Sequence, residues 1–318
     1  MAIKDVAARS AAGVGRKEMI WLDGGLFQMG SSRHYPEEAP PHPVKVDGFW
    51  IDRTPVTNKQ FTDFVEATRH VTSAEIAPDP ADYPGALPEL CFPGSLVFSP
   101  PDHPIGVSDW SRWWEFKLGA DWRHPYGPES SIDDLMDHPV VHVTHHDASA
   151  FAKWAGKRLP SEAQWEYAGW GGTVDSQFAW GDDLEPGGQH FANVWQGEFP
   201  WQNTSADGYD RTSPVGSYPP NGYGLLDMIG NVWEWTDDWY RASHPAAKDK
   251  PCCIPENPRG GPESDSHDRC DQAVIPRKTL KGGSHLCAPN YCQRYRPAAR
   301  HPQPIDTSAS HIGFRCVL

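Results

Sequence analysis

Two thiols stand five residues apart in Gly282-Gly283-Ser284-His285-Leu286-Cys287-Ala288-Pro289-Asn290-Tyr291-Cys292-Gln293-Arg294-Tyr295-Arg296. On a strand that separation puts Cys287 and Cys292 on opposite faces, and on a helix about 140° apart, so neither regular element lets both sulfurs serve one centre. Pro289 lacks an N–H and disfavours a regular path, so the segment is expected to bend and can bring the sulfurs together. Convergent thiols either cycle between dithiol and disulfide or hold a soft metal, and two thiolates with few other donors favour Cu(I). The competing reading is two unconnected buried cysteines.

Other clusters carry weaker chemistry. His142, His145, His146 and Asp147 offer imidazoles to zinc. Their expected placement, with His142 on a strand over Val140-Val141-His142-Val143 and the others at a helix start, favours a structural role. Cys252, Cys253, His267 and Cys270 match no usual zinc spacing, because adjacent cysteines cannot easily take two tetrahedral corners. Ser284-His285 lacks the glycine that a nucleophile elbow needs, since Leu286 stands there. Asn193, Asp207, Asp227 and Glu234 could give hard oxygens to Ca²⁺, although Asp and Asn in turns more often bond their own backbone. Arg294 and Arg296, sharing a face if extended, and Arg300 are expected to pair with internal carboxylates, or to meet a substrate carboxylate.

The elements that must position these groups are short. Hydrophobic residues make up 38% of the 318-residue chain, but there are 15 Trp, 32 Pro and 29 Gly, which predicts aromatic anchors and irregular loops. A net charge of −14 with no dense basic run argues against nucleic acid. No apolar stretch is long enough for a membrane span and no signal-peptide core is visible, so a cytoplasmic location is expected. Seven cysteines without an export signal argue against a full disulfide framework.

Residues 1–17 read as a flexible arm, and 18–318 as a single domain with a loop excursion at about 241–278. A hairpin is expected over residues 20–30. Strand signals follow at Val44/Val46 and Phe49/Ile51. Capping boxes at Thr57/Gln60 and Ser161/Gln164 start helices, and a third helix carries Asp147, Phe151, Trp154 and Ala155 before Gly156. Residues 73–137 show no sustained period, and from Gly171 onward turns and short strands are expected.

Together these stretches resemble the sulfatase-modifying-factor superfamily. The similarity is carried by Leu26-Phe27-Gln28-Met29-Gly30-Ser31, Thr57-Asn58, His138-Pro139-Val140-Val141, Gly156-Lys157-Arg158-Leu159-Pro160-Ser161-Glu162, Pro219-Pro220-Asn221-Gly222-Tyr223-Gly224-Leu225, Gly230-Asn231-Val232-Trp233-Glu234-Trp235, Lys281-Gly282-Gly283-Ser284 and Gly313-Phe314-Arg315-Cys316. Cys287-x4-Cys292 followed by Arg294-Tyr295-Arg296 is similar to the active-site signature of its formylglycine-generating branch.

The resemblance implies a single α+β, loop-rich, C-type-lectin-like domain. It implies a copper-dependent oxidase that uses O₂ to convert the cysteine of a Cys-x-Pro-x-Arg segment, in an unfolded or nascent sulfatase, to Cα-formylglycine. Cys287 and Cys292 would bind Cu(I), with the substrate thiolate joining them. Ser284 would serve as a hydrogen-bond donor and Trp233 as an apolar wall, with Tyr291 a further pocket candidate. Two Ca²⁺ sites are implied, one on Asn193, Val194, Asp207 and Tyr209 and the other on Asp227, Gly230, Val232 and Glu234. Where secreted members carry structural disulfides, this chain has Ala152, Gly169 and Pro297, leaving Cys316 without a partner. A monomer is expected. The alternatives are an iron-dependent sulfoxide synthase, whose extra helical H-x3-H-x-E domain is not found here, and a non-catalytic binding module.

Overall fold

In the computed structural model, residues 18–85, 87–245, 254–268 and 274–318 are described. The expected arm at 1–17 lies outside them, as do Cys252, Cys253 and Cys270.

The expected hairpin over residues 20–30 is replaced by a nested arrangement. Strand β1 (Met19–Leu22) pairs antiparallel with β4 (Phe49–Asp52), while β2 (Gly25–Met29) pairs antiparallel with β3 (His42–Val46). Gly24 causes the switch. Its φ is +75°, and a Cβ there would meet the Val46 carbonyl at 2.4 Å, so the chain turns away between β1 and β2 directly against β3.

Helix α1 (Asn58–Thr68) starts at the expected capping box, with the Gln60 N–H donating to Thr57 Oγ1 at 3.3 Å and the Thr57 N–H to Gln60 Oε1 at 2.9 Å. Phe61 and Phe64 turn inward against Phe151 of α2 (His145–Trp154). Helix α3 (Glu162–Trp170) is buried almost all round, so it shows no amphipathic period; its Ser161/Gln164 box marked its start.

Residues 73–137, read as irregular, contain the antiparallel pair β5 (Gly94–Phe98) and β6 (Trp114–Leu118). Ser95, Val97 and Phe98 are all buried, so both faces of β5 are covered and no alternation shows in the sequence. Residues 140–143 do not form the expected strand. His142 has φ +59°, which breaks the extended path, and its ring is buried between Ser95 Oγ (2.7 Å) and the Pro125 carbonyl (2.9 Å).

The central sheet has the order β10-β7-β8-β9, made of β7 (Trp233–Trp239), β8 (Arg277–Lys281), β9 (Arg300–Pro304) and β10 (Ile312–Gly313). Strand β10 runs parallel to β7 and the other pairs are antiparallel. The architecture is α+β with little regular structure, as expected. One hydrophobic cluster gathers Phe61, Phe151, Trp233, Trp235, Cys287, Cys292 and Phe314; a second, with Ile51, Trp165 and Val317, lies under β1–β4. No helix among the described residues is long and apolar enough to cross a membrane.

Candidate active site: a dithiol loop on a charged base

Strands β8 and β9 form a hairpin whose connection, residues 282–299, carries both thiols. Its base is the register pair Lys281↔Arg300, and both side chains are buried cations. Helix α3 neutralises them. Lys281 Nζ lies 2.8 Å from Glu166, and Arg300 forms a bidentate pair with Glu162 at 2.6 and 2.8 Å. The two carboxylates are one helical turn apart on the same face, which is why one helix can hold both ends of the loop. Burial alone would raise Glu162, but Arg300 and Lys281 outweigh it and hold the carboxyl at about 2.

From this base the chain leaves through Gly282 and Gly283, with φ +94° and +72°. A Cβ on Gly283 would lie 2.9 Å from the Arg294 carbonyl and the Tyr295 backbone, so the outgoing and returning limbs touch there. The Ser284 carbonyl accepts from the Cys287 N–H (2.9 Å), and the Ala288 carbonyl from the Cys292 N–H (2.9 Å). Two successive turns thus replace any regular element, and the bend expected around Pro289 is present.

The result is a Cys287 Sγ to Cys292 Sγ distance of 3.1 Å. A disulfide would be about 2.05 Å, so the pair is a dithiol in hydrogen-bond contact. Cys287 is 2% exposed and Cys292 9%, which leaves the second sulfur as the approachable one. The pair titrates asymmetrically. Burial, with Cys292 beside it, pushes the Cys287 thiol well up. Cys292 is lowered to about 7 by the Cys287 hydrogen bond, with the Arg294 guanidinium assisting against burial. One thiolate held by one thiol is the resulting state near neutrality.

Arg294 is fixed from behind by Glu37 (2.5 Å) and stacks over Tyr35 with its guanidinium carbon 3.8 Å from the ring centre; Tyr35 Oη accepts from the Gln293 N–H at 3.0 Å. Arg296 pairs with Glu38. The expected internal pairing of these arginines is present, but the segment is not a strand, and Arg294 lies close enough to act on Cys292. Sequence reading missed Tyr35, Glu37 and Glu38; the visible signal was an acidic doublet with the spacing to answer two arginines.

The other expected residues fall as follows. Ser284 is fully buried beside Cys287, its N–H 3.5 Å from the sulfur, while its hydroxyl accepts from the Leu286 N–H at 3.3 Å. Trp233 begins β7; Glu234 is registered with Lys281, so Trp233 stands level with the loop's departure and packs in the cluster that holds both thiols. Tyr291 is 38% exposed and stacks on Phe199 (4.4 Å, 7°), with Trp113 edge-on. Phe199 and Trp195 were not anticipated; the Trp195 N–H donates to the Cys287 carbonyl at 3.0 Å.

The two oxygen-rich sets adjoin one another. The Asn231 N–H donates to the Asn193 carbonyl (2.8 Å), and a Cβ on Gly230 would meet that carbonyl at 2.3 Å. Asp207 accepts from Tyr218 Oη at 2.8 Å and from the Tyr209 N–H at 3.1 Å. This belt also holds the thiol loop, through Gly230 N–H to the Gly282 carbonyl (3.0 Å) and His285 N–H to the Asn231 carbonyl (3.0 Å). Burial, reinforced by Glu234, raises Asp227 to about 6, which marks a buried carboxylate short of positive charge. Glu234 itself is differently committed. Its oxygens accept from Arg315 (2.7 Å at each oxygen) and from Trp165 Nε1 (2.7 Å).

Two buried, reduced sulfurs, with no third His, Cys, Asp or Glu donor grouped with them among the described residues, suit a soft monovalent ion. Asn193, Asp207 and Asp227 suit a hard cation, while Glu234 in this structure neutralises Arg315. The remaining histidines of the 142–147 stretch separate. His145 is partly buried edge-on against Trp235, with desolvation lowering it to about 4, and His146 is exposed. His267 is described, but its three proposed cysteine partners lie outside the described residues, so that zinc reading has no geometry.

Fold and site together define a loop-rich scaffold that presents a buried dithiol. Residues 5–318 match the Sulfatase-modifying factor enzyme 1-like domain family, and the chain belongs to that family. It is 53% identical to the Mycobacterium tuberculosis formylglycine-generating enzyme over 94% of this chain and 97% of that one. Identity to the Mus musculus formylglycine-generating enzyme is 42%, over 94% of this chain and 74% of that one. A Bos taurus relative described as an inactive Cα-formylglycine-generating enzyme 2 is 39% identical over 94% of this chain and 84% of its own length. Among solved structures, PvdO from Pseudomonas aeruginosa shares the fold, with a TM-score of 0.61 at 23% identity, covering 94% of this chain and 93% of that one.

Proposed function

We propose that this chain oxidises the cysteine of a Cys-x-Pro-x-Arg segment in a sulfatase to Cα-formylglycine, with O₂ as oxidant, Cu(I) on Cys287 and Cys292, and structural Ca²⁺ on the 193–234 belt. The observation that carries the reading is the reduced thiol pair, 3.1 Å apart with Arg294 behind it, in a chain this similar to formylglycine-generating enzymes. Because an inactive relative shares comparable overall identity, the thiol geometry weighs more than the percentage.

Bound Cu(I) would supply one-electron chemistry with O₂ and a further position for the substrate thiolate. The chain's own residues do the rest. Arg294 holds Cys292 as thiolate, and Cys287 Sγ releases the shared proton when a soft ion is taken up. Trp233 and the buried core beneath the loop exclude water from the sulfurs, and Tyr291 with Phe199 forms an aromatic ledge at the rim. Loss of two electrons and two protons from the substrate Cβ–H and S–H, taken up by O₂ as hydrogen peroxide, would leave a thioaldehyde, which water converts to aldehyde and hydrogen sulfide.

Since both thiols are nearly buried, a client must insert its cysteine on an extended segment, which suits an unfolded or nascent chain. Within this reading the protein works as a monomer in the reducing cytoplasm, where Cys316 and the thiol pair persist without structural bridges. The test is aerobic incubation of copper-loaded protein with a Cys-x-Pro-x-Arg peptide, followed by mass spectrometry. Aldehyde formation that depends on both cysteines supports the assignment, and an unmodified peptide at full copper loading overturns it.

A further inference from the structure

The histidine-rich stretch that fails as a contiguous metal site is completed by a residue from another part of the chain. His70 follows the C-terminus of α1, where Arg69 takes the left-handed conformation (φ +61°) and redirects the backbone. That turn brings the His70 ring to the N-terminal end of α2. His70 Nε2 lies 2.9 Å from Asp147 Oδ1, and His146 Nδ1 lies 4.0 Å from the same oxygen. The two rings are 5.9 Å apart and inclined by 31°, and the three donor atoms all lie within 4.8 Å of one another.

We propose that His70, His146 and Asp147 form a second metal site, specific for a divalent borderline ion of the Zn²⁺ type and separate from the thiol loop. At metal–ligand distances of about 2.0–2.2 Å, tetrahedral donors stand roughly 3.3 Å apart, so the His70–Asp147 distance already fits within a few tenths of an ångström. His146 must close by about 0.7 Å on Asp147 and by at most about 1.5 Å on His70. It is free to do so, because its side chain is 78% exposed. The other two ligands are fixed in advance. Asp147 is fully buried, and its Oδ2 accepts from the Thr144 N–H (2.9 Å) and Thr144 Oγ1 (2.8 Å), while Oδ1 accepts a longer bond from the Ser73 N–H (3.3 Å) and faces His70 at 2.9 Å with its remaining acceptor capacity. His70 packs its ring 5.0 Å from Phe64.

Two imidazoles and a carboxylate select Zn²⁺, Ni²⁺ or Cu²⁺ over Ca²⁺ or Mg²⁺, which prefer all-oxygen sets. The exposed His146 side leaves a coordination position open to water. Binding would tie the end of α1 to the start of α2.

The test is Zn²⁺ titration of the full chain carrying Cys287→Ser and Cys292→Ser, with excess Ca²⁺ present, read by a chromophoric chelator and by the melting temperature. His146→Ala, an exposed change that leaves the fold intact, should weaken one equivalent of Zn²⁺ by at least about tenfold and remove the Zn²⁺-dependent rise in melting temperature. His103→Ala, at an exposed histidine elsewhere, should do neither. No Zn²⁺ uptake, or uptake with the same affinity in His146→Ala as in the parent, overturns the proposal.

Discussion

The tip and the base of the β8–β9 hairpin solve opposite problems. At the base, four buried charges, Lys281 and Arg300 against Glu162 and Glu166, close the loop with bonds of 2.6–2.8 Å. At the tip, Cys287 and Cys292 touch at 3.1 Å without a covalent bond and share a proton. The base is saturated and therefore inert; the tip is left short of ligands and therefore reactive. Fixing the loop from below lets the thiols converge without being cross-linked, which is the condition for binding a metal or a substrate sulfur.

Breaking the tip should cost function and little stability. Cys292→Ser is expected to lower aldehyde formation on a Cys-x-Pro-x-Arg peptide by about a hundredfold or more, because a misplaced reacting centre forfeits that much. Its melting temperature should move by no more than about 2–4 °C, the equivalent of about 1 kcal/mol in a domain this large. Breaking the base should do the reverse. Glu166→Ala leaves the buried Lys281 cation with only Glu162, 4.0 Å away and already paired with Arg300, and strips the Gly30 N–H of its acceptor, so urea unfolding should show a loss of about 3–5 kcal/mol. Equal destabilisation by both changes would erase the contrast.

The neighbouring belt sharpens it, since Asp227 is a buried charge that lacks what the base possesses. Its carboxyl is raised from 3.8 to about 6, so the unfolded chain gives up this proton first. The resulting penalty is absent below pH 3.8, grows between 3.8 and 6, and is complete above 6, where it amounts to about 3 kcal/mol. Asp227→Asn should therefore stabilise calcium-free protein at pH 7–8 by an amount of that order and have little effect near pH 4, as denaturant titrations at the two pH values would show. Added Ca²⁺ should stabilise the parent in the same pH range.

A smaller effect probes Arg294. Alkylation of Cys292 in metal-free protein should follow a pH profile centred near 7, and Arg294→Met should move the midpoint upward toward the ordinary thiol value of about 8.5. The smallest is Tyr291→Phe, which preserves the stack on Phe199 and should change kcat/KM by about twofold or less.

Much of the site was legible before any coordinates. Pro289 and the five-residue spacing predicted a bend that could bring the thiols together, and the pair converges through two successive turns rather than a helix or strand. Capping boxes located α1 and α3, since a cap is satisfied within four residues and needs nothing from the rest of the chain. The absent disulfides were also readable. Gly169 faces Pro297, where an added Cβ would stand 3.4 Å from the proline Cβ, and Cys316 remains a buried free thiol. The alternation rule failed at β5, where both faces are covered, and the strand expected at 140–143 gave way to a left-handed His142.

The sequence by itself determined which groups could react and where the backbone had to bend, because residue chemistry and local sterics act over a few positions. Tertiary structure alone decided the partners: Glu37 and Tyr35 behind Arg294, α3 beneath the loop, Arg315 on Glu234, and His70 beside His146. These pairings span tens to hundreds of residues, and their strength depends on burial, which removes the competing water. No local pattern records which distant charge or ring will be buried alongside.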